Sequence, residues 1–219
     1  MLVGKDLQNR GPDRDVTDLH RAVELGDLRA VQKLLASGAD PAAMSRKGRT
    51  PLFIAVTNRD AVIAEYLITH GAEGVEHGYY FSDDEAGIVQ GPLIVHAVAI
   101  NSAPIFELLV RHGASVTNPG QSDPSSDTRG LMGRAFHVRY KLMNSYPLSP
   151  GKREAELNDN LRIIRGLLQA GLALPDENAM EYGYPKLSAA HNAFANDMAL
   201  QKLRLEYMQH SVRGSPHSQ

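Results

Sequence analysis

 The predicted fold class is an all-α solenoid in which short helix-turn-helix repeats, joined by β-hairpin-like fingers, stack side by side. Two observations predict it. The chain matches itself when it is shifted by 33 residues, with eight identities in the 24 positions from Thr17 to Asp40, where chance gives about two. Each copy also carries a turn, a short helix of small residues, a second helix with apolar residues three and four apart, and then Gly-Ala. Together these observations predict an array of about five repeats.

The first two copies define the repeat. The coinciding positions are Thr17, Leu19, Ala22, Val23, Asp27, Leu34, Gly38 and Ala39 in the first copy and Thr50, Leu52, Ala55, Val56, Asp60, Leu67, Gly71 and Ala72 in the second. Thr50 before Pro51 is typical of a helix N-cap with proline at the first helical position. Gly38 and Gly71 stand where a helix needs a left-handed residue at its C-terminal end. These features predict an inner and an outer helix in each of the repeats near 16–45 and 46–90.

A third copy lies a further 42 residues along the chain. At this shift His70-Gly71-Ala72 coincides with His112-Gly113-Ala114. The nine residues in excess of 33 fall between Glu73 and Gln90, so they lie between two repeats and predict an elongated second finger. The third repeat is expected near 91–128.

The fourth and fifth repeats depart more from the pattern. The segment Leu167 to Gly171 is similar to the end of an outer helix, and Met132 and Ala135 open the matching inner helix. About 20 extra residues separate these two helices, and Ser145 to Gly151 supplies the proline and glycine of a predicted loop. Repeats near 129–175 and 176–208 are therefore expected, the last as a degenerate cap. Residues 1–15 are expected to be an N-terminal extension and 209–219 a disordered tail.

Composition excludes several classes of function. The 219 residues include 23 Lys and Arg against 25 Asp and Glu, and a net charge of -2 gives no overall attraction to nucleic acid or to an anionic membrane. The absence of Cys excludes disulfides, Fe–S clusters and thiol catalysis. No secretory leader or membrane span is recognisable in the sequence, which favours a cytoplasmic protein.

Catalytic motifs are also missing from the sequence. There is no Gly-rich phosphate loop, His-Glu-x-x-His pair or Gly-x-Ser-x-Gly elbow, which predicts that the protein is not an enzyme and uses no metal or cofactor. The nine His residues are the candidates for metal or acid–base chemistry. His70 and His112 have a structural explanation, because each directly precedes a C-cap glycine, where an imidazole meets the last carbonyls of a helix. His96, on an inner helix, is expected to be packed.

These residues resemble the ankyrin repeat, whose hallmark is a Thr-Pro-Leu-His-x-Ala-Ala start and a Leu-Leu-x-x-Gly-Ala-Asp end. The start is found in residues 17–23 and 50–56, and the end in residues 34–40 and 67–73. The resemblance covers about Val16 to Tyr207. It implies that the His20 ring bonds the Thr17 hydroxyl and a neighbouring turn. It also implies a recognition surface on the finger tips and the exposed side of the inner helices, which line one concave face.

The resemblance places two groups of partner-binding candidates. The tip of the first finger carries a basic cluster of Arg46, Lys47 and Arg49. The two residues after each Ala-Val pair of an inner helix should face the groove, and those assigned to the site are Leu25, Thr57, Asn58 and Ile100. The alternative is that the basic cluster is a solvated turn without a binding role, because short runs of charged residues are commonly solvated turns.

The elongated second finger carries the third group of candidates. It contains Tyr79, Tyr80 and Phe81, followed by the acidic residues Asp83, Asp84 and Glu85. Aromatic rings beside charges on a protruding loop are typical of a binding hot spot. The alternative is that the rings fold back onto the array and that the acidic residues pair with the basic cluster of the same molecule.

The sequence therefore predicts a non-catalytic protein–protein interaction module that is a monomer when free and binds one protein partner. A dedicated inhibitor, such as a bacterial immunity protein, would suit such an array, and a secreted effector or adaptor that docks on host proteins is the alternative. A third possibility is an enzyme or small-molecule binder, in which the insertions 73–90 and 142–154 form a pocket. Its polar residues do not assemble into a recognisable set.

Overall fold

The computed structural model describes residues 16–45, 48–72, 78–81, 88–116, 130–144, 147–172 and 197–213. In this part of the chain helices follow one another, interrupted by one two-stranded hairpin, which confirms the predicted all-α repeat solenoid. The number of repeats stays a prediction. The chain divides into an N-terminal unit, Met1–Ala97 with Pro104–Ser115, and a C-terminal unit, Val98–Ala103 with Val116–Gln219.

The first repeat consists of helices α1 (Asp18–Glu24) and α2 (Leu28–Ala36). Thr17 and His20 form a capping box at the start of α1: the His20 N–H donates to the Thr17 hydroxyl, and the Thr17 N–H donates to Nδ1 of His20 at 3.3 Å. Asp27 caps α2, because its carboxylate accepts the Ala30 N–H at 2.9 Å. Each such cap is worth about 1 kcal/mol.

The second repeat has the same local structure. Helices α3 (Pro51–Thr57) and α4 (Ala61–Thr69) begin at Thr50, which accepts the Phe53 N–H at 3.2 Å, and at Asp60, which accepts the Ile63 N–H at 2.9 Å. Helix α1 packs against α3, and α2 packs against α4. The predicted Thr50 cap of α3 is therefore confirmed, and stacking places equivalent helices next to each other.

The core of the N-terminal unit includes almost the whole inner helix of the second repeat. Helix α3 is buried from Pro51 to Val56, since it contacts α1 and also the His96 ring, whose centroid lies 5.3 Å from that of Phe53. Leu67 and Leu109 are fully buried, but their equivalent Leu34 is only half-buried. Within the described residues α2 packs against the outer helix of one neighbouring repeat, which leaves Leu34 more accessible.

The third repeat follows a two-stranded antiparallel hairpin. Strands β1 (Gly78–Phe81) and β2 (Ile88–Gly91) pair with Gly78 opposite Gly91, inside the segment predicted as the second finger. Helices α5 (Leu93–Ala99) and α6 (Ala103–Arg111) come next. Arg111 of α6 forms an ion pair of 3.0 Å with Glu65 of α4, so the outer helices of the second and third repeats are joined at the surface.

The C-terminal unit contains longer helices than the sequence predicts. Helix α7 runs over Gly130–Asn144 and α8 over Pro150–Gln169, and the two pack against each other. The predicted loop of about 20 extra residues is therefore wrong, because most of them lengthen the two helices. Ser149 and Pro150 begin α8, with the proline in the first turn, where its missing N–H costs nothing. The insertion 142–154 is thus largely helical.

The last described helix, α9 (Met198–Arg213), begins close to the position expected for the outer helix of the fifth repeat. It continues beyond residue 208, so residues 209–213 are helical and do not belong to a disordered tail. The predicted inner helix of this repeat, near Leu187, lies outside the described residues. No helix in the described ranges is long and apolar enough to cross a membrane.

Three turns between inner and outer helices have the same backbone conformation. Gly26, Arg59 and Asn101 occupy equivalent repeat positions with φ of 68°, 58° and 57°. This left-handed region is unfavourable for residues with a Cβ, by about 1 kcal/mol or more. Asn101 belongs to the C-terminal unit and is 3% exposed, with a side chain bound to helix α8, whereas Arg59 is exposed.

Candidate partner-binding surface

Leu25 is a strongly exposed apolar residue of the predicted site. It is the C-cap of α1, and 83% of its surface is exposed. Its backbone N–H donates to the Arg21 carbonyl at 3.0 Å, so the residue is held by the end of the helix. The structure therefore presents an apolar side chain to solvent from a fixed backbone position.

Thr57 and Asn58 lie at the equivalent end of α3, and both are exposed. The Thr57 hydroxyl donates to the Phe53 carbonyl at 2.9 Å, and the Asn58 amide reaches the carbonyls of Val23 and Glu24 at 3.5 Å each. Asn58 thus also joins the end of α3 to the end of α1. Leu25, Thr57 and Asn58 therefore lie at the ends of two neighbouring inner helices of the N-terminal unit, and their contact with a partner stays a prediction.

Ile100, the fourth predicted groove residue, belongs to the C-terminal unit and is half-buried. It follows α5, at the repeat position that Asn58 occupies after α3. Its part in a surface shared with Leu25 stays a prediction.

Arg49 is the member of the basic cluster that the structure describes. Its guanidinium lies 3.4 Å from the Glu24 carboxylate, and 28% of its side chain is exposed. Its carbonyl is 2.9 Å from Nε2 of His20, and its N–H donates to the Ser45 hydroxyl at 3.2 Å. Arg49 therefore has a structural role that joins the first finger to α1. Arg46 and Lys47 lie outside the described residues.

The backbone of the second finger places its aromatic residues in strand β1. Tyr79, Tyr80 and Phe81 stand opposite Gln90, Val89 and Ile88. Asp83 and Asp84 lie outside the described residues, as does Glu85. The predicted contacts of this finger with a partner or with the array stay untested.

Three of the described histidines, His20, His70 and His96, have structural surroundings. His20 forms the capping box, and its Nδ1 is 2.8 Å from the Thr17 hydroxyl, as the resemblance implies. His70 is the C-cap of α4: its Nδ1 is 2.8 Å from the Tyr66 carbonyl, and its ring stacks on that of Tyr66 at 3.9 Å. His96 packs beside Phe53, as expected. The described ranges contain no cluster of three His, Asp or Glu side chains that could hold a metal ion.

The sequence analysis missed Arg59 as a candidate. This exposed residue follows Asn58 directly, and it has a positive φ where the first repeat has Gly26. Strained backbone is often found at binding sites. The repeat alignment points to this position, because Arg59 lies 33 residues after Gly26, the glycine at the same position of the first repeat.

Comparisons with known proteins agree with this geometry. A family model described as ankyrin repeats (3 copies) matches residues 19–120. Ankyrin repeat and SOCS box protein 16 of Mus musculus is 34% identical over 128 residues, which are 55% of this chain and 25% of that protein. The B-cell lymphoma 3 protein homolog of Mus musculus is 32% identical over 135 residues, 61% of this chain and 27% of that protein.

A shorter relative is similar to a smaller part of the chain. Cyclin-dependent kinase 4 inhibitor B of Mus musculus is 42% identical over 55 residues, which are 25% of this chain and 42% of that protein. The matched segment of this chain therefore spans less than half the length of each of these relatives.

Proposed function

Residues 19–120 form ankyrin repeats, and from this premise we propose that the chain is a non-catalytic module that binds one protein partner. The observation that carries the proposal is the exposed Leu25 side chain at the end of α1, beside Thr57 and Asn58 of the next repeat. An apolar side chain on a capped helix end loses little conformational freedom on binding, because its backbone is already fixed. This favours recognition by the ends of the inner helices.

The proposed surface extends from these residues to the fingers. Arg46 and Lys47 would add positive charge at the first finger, and the second finger would add its aromatic residues. Ile100 would extend the groove. A partner with an apolar patch next to acidic residues matches this composition, because burial supplies affinity and charge supplies the rate of association.

Within this class a dedicated inhibitor, such as a bacterial immunity protein, is the more specific proposal. Cyclin-dependent kinase 4 inhibitor B, one of the relatives, is an inhibitor by its name. An effector or adaptor that docks on host proteins is the second candidate, and another relative carries a SOCS box beside its ankyrin repeats by its name. Inhibition of the partner's activity by the purified chain would favour the first candidate over the second.

Affinity capture from the source cells, followed by mass spectrometry, identifies the partner. The captured protein is then purified, and its binding to the chain is measured by calorimetry. Saturable binding at a fixed stoichiometry supports the proposed function. Turnover of a substrate by the chain alone, without any protein partner, would contradict it.

The second finger is tested by replacing Tyr79, Tyr80 and Phe81 with Ser. Loss of aromatic hot-spot contacts is expected to weaken partner binding by about 2 kcal/mol or more. The control is the melting temperature, which should stay nearly unchanged. If the variant melts several degrees lower and binds normally, the rings pack on the array and the partner sits elsewhere.

The basic cluster is tested by reversing Arg46 and Lys47 to Glu, with Arg49 kept because of its ion pair with Glu24. Association with the partner is expected to become slower and less dependent on salt. Arg49→Glu is the matched comparison: it should lower the melting temperature, since it places two carboxylates together. An unchanged association rate in the double variant would favour the alternative that the basic cluster is a solvated turn without a binding role.

A further inference from the structure

Helix α9 buries few apolar side chains in the part whose side chains the structure describes. Among its side chains from Met198 to Tyr207, the buried apolar ones are Leu200 and Leu203, while Met198 and Leu205 are 82% and 60% exposed. Two buried Leu side chains one turn apart form a narrow apolar stripe for this stretch of the helix. An isolated helix of 16 residues is marginal in water, so the attachment of α9 decides its stability.

A buried ion pair supplies the second part of the attachment. Arg139 of α7 donates through Nε and Nη2 to both carboxylate oxygens of Asp197, the residue before α9. Its Nη1 donates to the Leu157 carbonyl of α8 at 3.0 Å. The Arg139 and Asp197 side chains are 5% and 6% exposed. One guanidinium therefore joins α7, α8 and the start of α9.

Asp197 also begins the helix. Its Oδ1 accepts the N–H of Ala199 at 3.1 Å and the N–H of Leu200 at 3.2 Å, as an N-cap does. Burial alone would raise the pKa of Asp197, but the hydrogen bond and charge of Arg139 and these two N–H groups lower it below its usual value. Loss of the charge would weaken the ion pair and the cap together.

We propose that α9 is a detachable cap, held closed by the Arg139–Asp197 pair, which opens as one element while α7 and α8 stay folded. Opening exposes only two buried Leu side chains of α9 among those described, and it returns both charges to water. Its free-energy cost therefore lies below that of unfolding the C-terminal unit, as for other locally unfolding elements.

Native-state hydrogen exchange of the full chain tests the proposal without any substitution. The chain is exchanged at increasing urea concentrations below the unfolding transition. The amides of α9 should exchange through an opening that depends weakly on urea, because this dependence scales with the surface exposed. The amides of α7 and α8 should show a steep dependence. One steep dependence shared by all three helices would overturn the proposal.

Asp197→Asn then tests the role of the ion pair, because it keeps a cap oxygen and removes the charge. Exchange in α9 should become about a hundredfold faster, since an unpaired charge is left buried. Exchange in α1 to α4 should not change. The double variant Arg139→Met/Asp197→Leu, which removes both charges, should exchange more slowly than Asp197→Asn.

Arg165→Gln is the matched control. It breaks an exposed ion pair of 3.7 Å with Glu206, which also joins α8 to α9. Exposed pairs contribute little, so exchange in α9 should change less than about threefold. If exchange in α9 is unchanged in Asp197→Asn, or if exchange in α7 and α8 accelerates equally, the proposed role of the Arg139–Asp197 ion pair in holding α9 is refuted.

Discussion

The C-terminal unit buries more polar side chains than the described part of the N-terminal unit, although the core of each unit is made of apolar helix residues. In the N-terminal unit the apolar helix α3 is buried from Pro51 to Val56, and Thr and Asp side chains cap the helices at equivalent positions. In the C-terminal unit the buried side chains include Asn101, Arg139, Asn160 and Asp197. In the described part of the first two repeats the buried polar side chains are His20 and Ser45.

The difference shows two ways to specify helix packing. Apolar positions that recur in every repeat allow one stacking geometry to be repeated with interchangeable side chains. A buried polar network fixes one arrangement, because each donor must meet its acceptor. Asn160 donates to the Asn101 side chain at 3.1 Å and to the Ala135 carbonyl at 2.9 Å, so it is suited to one set of neighbours.

The largest effect is expected for a repeated apolar position. Leu67 is fully buried, so Leu67→Ala should lower the free energy of unfolding by roughly 2 to 5 kcal/mol, as for other buried Leu truncations. Leu34→Ala, at the equivalent half-buried position, should cost clearly less. Urea denaturation measures both. A loss of less than about 0.5 kcal/mol for Leu67→Ala would mean that the repeat register is wrong.

The left-handed turn positions should differ in cost between the two units. Asn101→Gly removes hydrogen bonds to Glu156 and Asn160, so it should cost about 2 kcal/mol although the backbone strain is relieved. Arg59→Gly also relieves backbone strain, and its side chain is exposed, so it should change the free energy of unfolding by less than about 0.5 kcal/mol. Thermal or urea unfolding of both variants checks this. Equal costs would contradict the contrast between the units.

Lowering the pH should destabilise the start of α9, because Asp197 becomes protonated. The pKa of this carboxyl is lower in the folded chain than its unfolded value of about 3.9. Its stabilisation is therefore fully present above the unfolded pKa, and it is lost as pH falls through the folded pKa. Hydrogen exchange between pH 5 and pH 2.5, corrected for the intrinsic rate, should show this loss in wild-type α9. If α9 shows the same loss in Asp197→Asn, the pH dependence does not come from Asp197.

The smallest effect on stability is expected at the proposed binding surface. Leu25 and Val62 are 83% and 63% exposed, on an inner and an outer helix of the N-terminal unit. Leu25→Ser and Val62→Ser should each change the free energy of unfolding by less than about 0.5 kcal/mol, as for other surface substitutions. A larger loss for Leu25→Ser would show that this side chain packs on the array.

The sequence predicted the first repeats because their signals are local. A threonine N-cap and a left-handed glycine act within one helix, so Thr50 and Gly71 indicate the bounds of α3 and α4. Ser149 before Pro150 has the same form as Thr50 before Pro51, yet it was interpreted as part of a loop. The interpretation failed because proline begins a helix as readily as it ends one.

The polar contacts could not be predicted in the same way. Arg139 and Asp197 are 58 residues apart in the chain, and no repeat relates them. The ion pair of Arg49 with Glu24 also depends on how the finger meets α1. At the candidate site, exposure of Leu25 followed from its place after an inner helix, but the bonds of Asn58 to the end of α1 require the stacked structure.

Calorimetric titration of the purified partner with Leu25→Ser and Val62→Ser tests the central claim most directly. If the ends of the inner helices bind the partner, Leu25→Ser should raise the Kd about 30-fold, which corresponds to a loss of about 2 kcal/mol. Val62→Ser should leave the Kd within about twofold of the wild-type value. An unchanged Kd for Leu25→Ser, with a raised Kd for Val62→Ser, would place the partner on the outer helices and contradict the account.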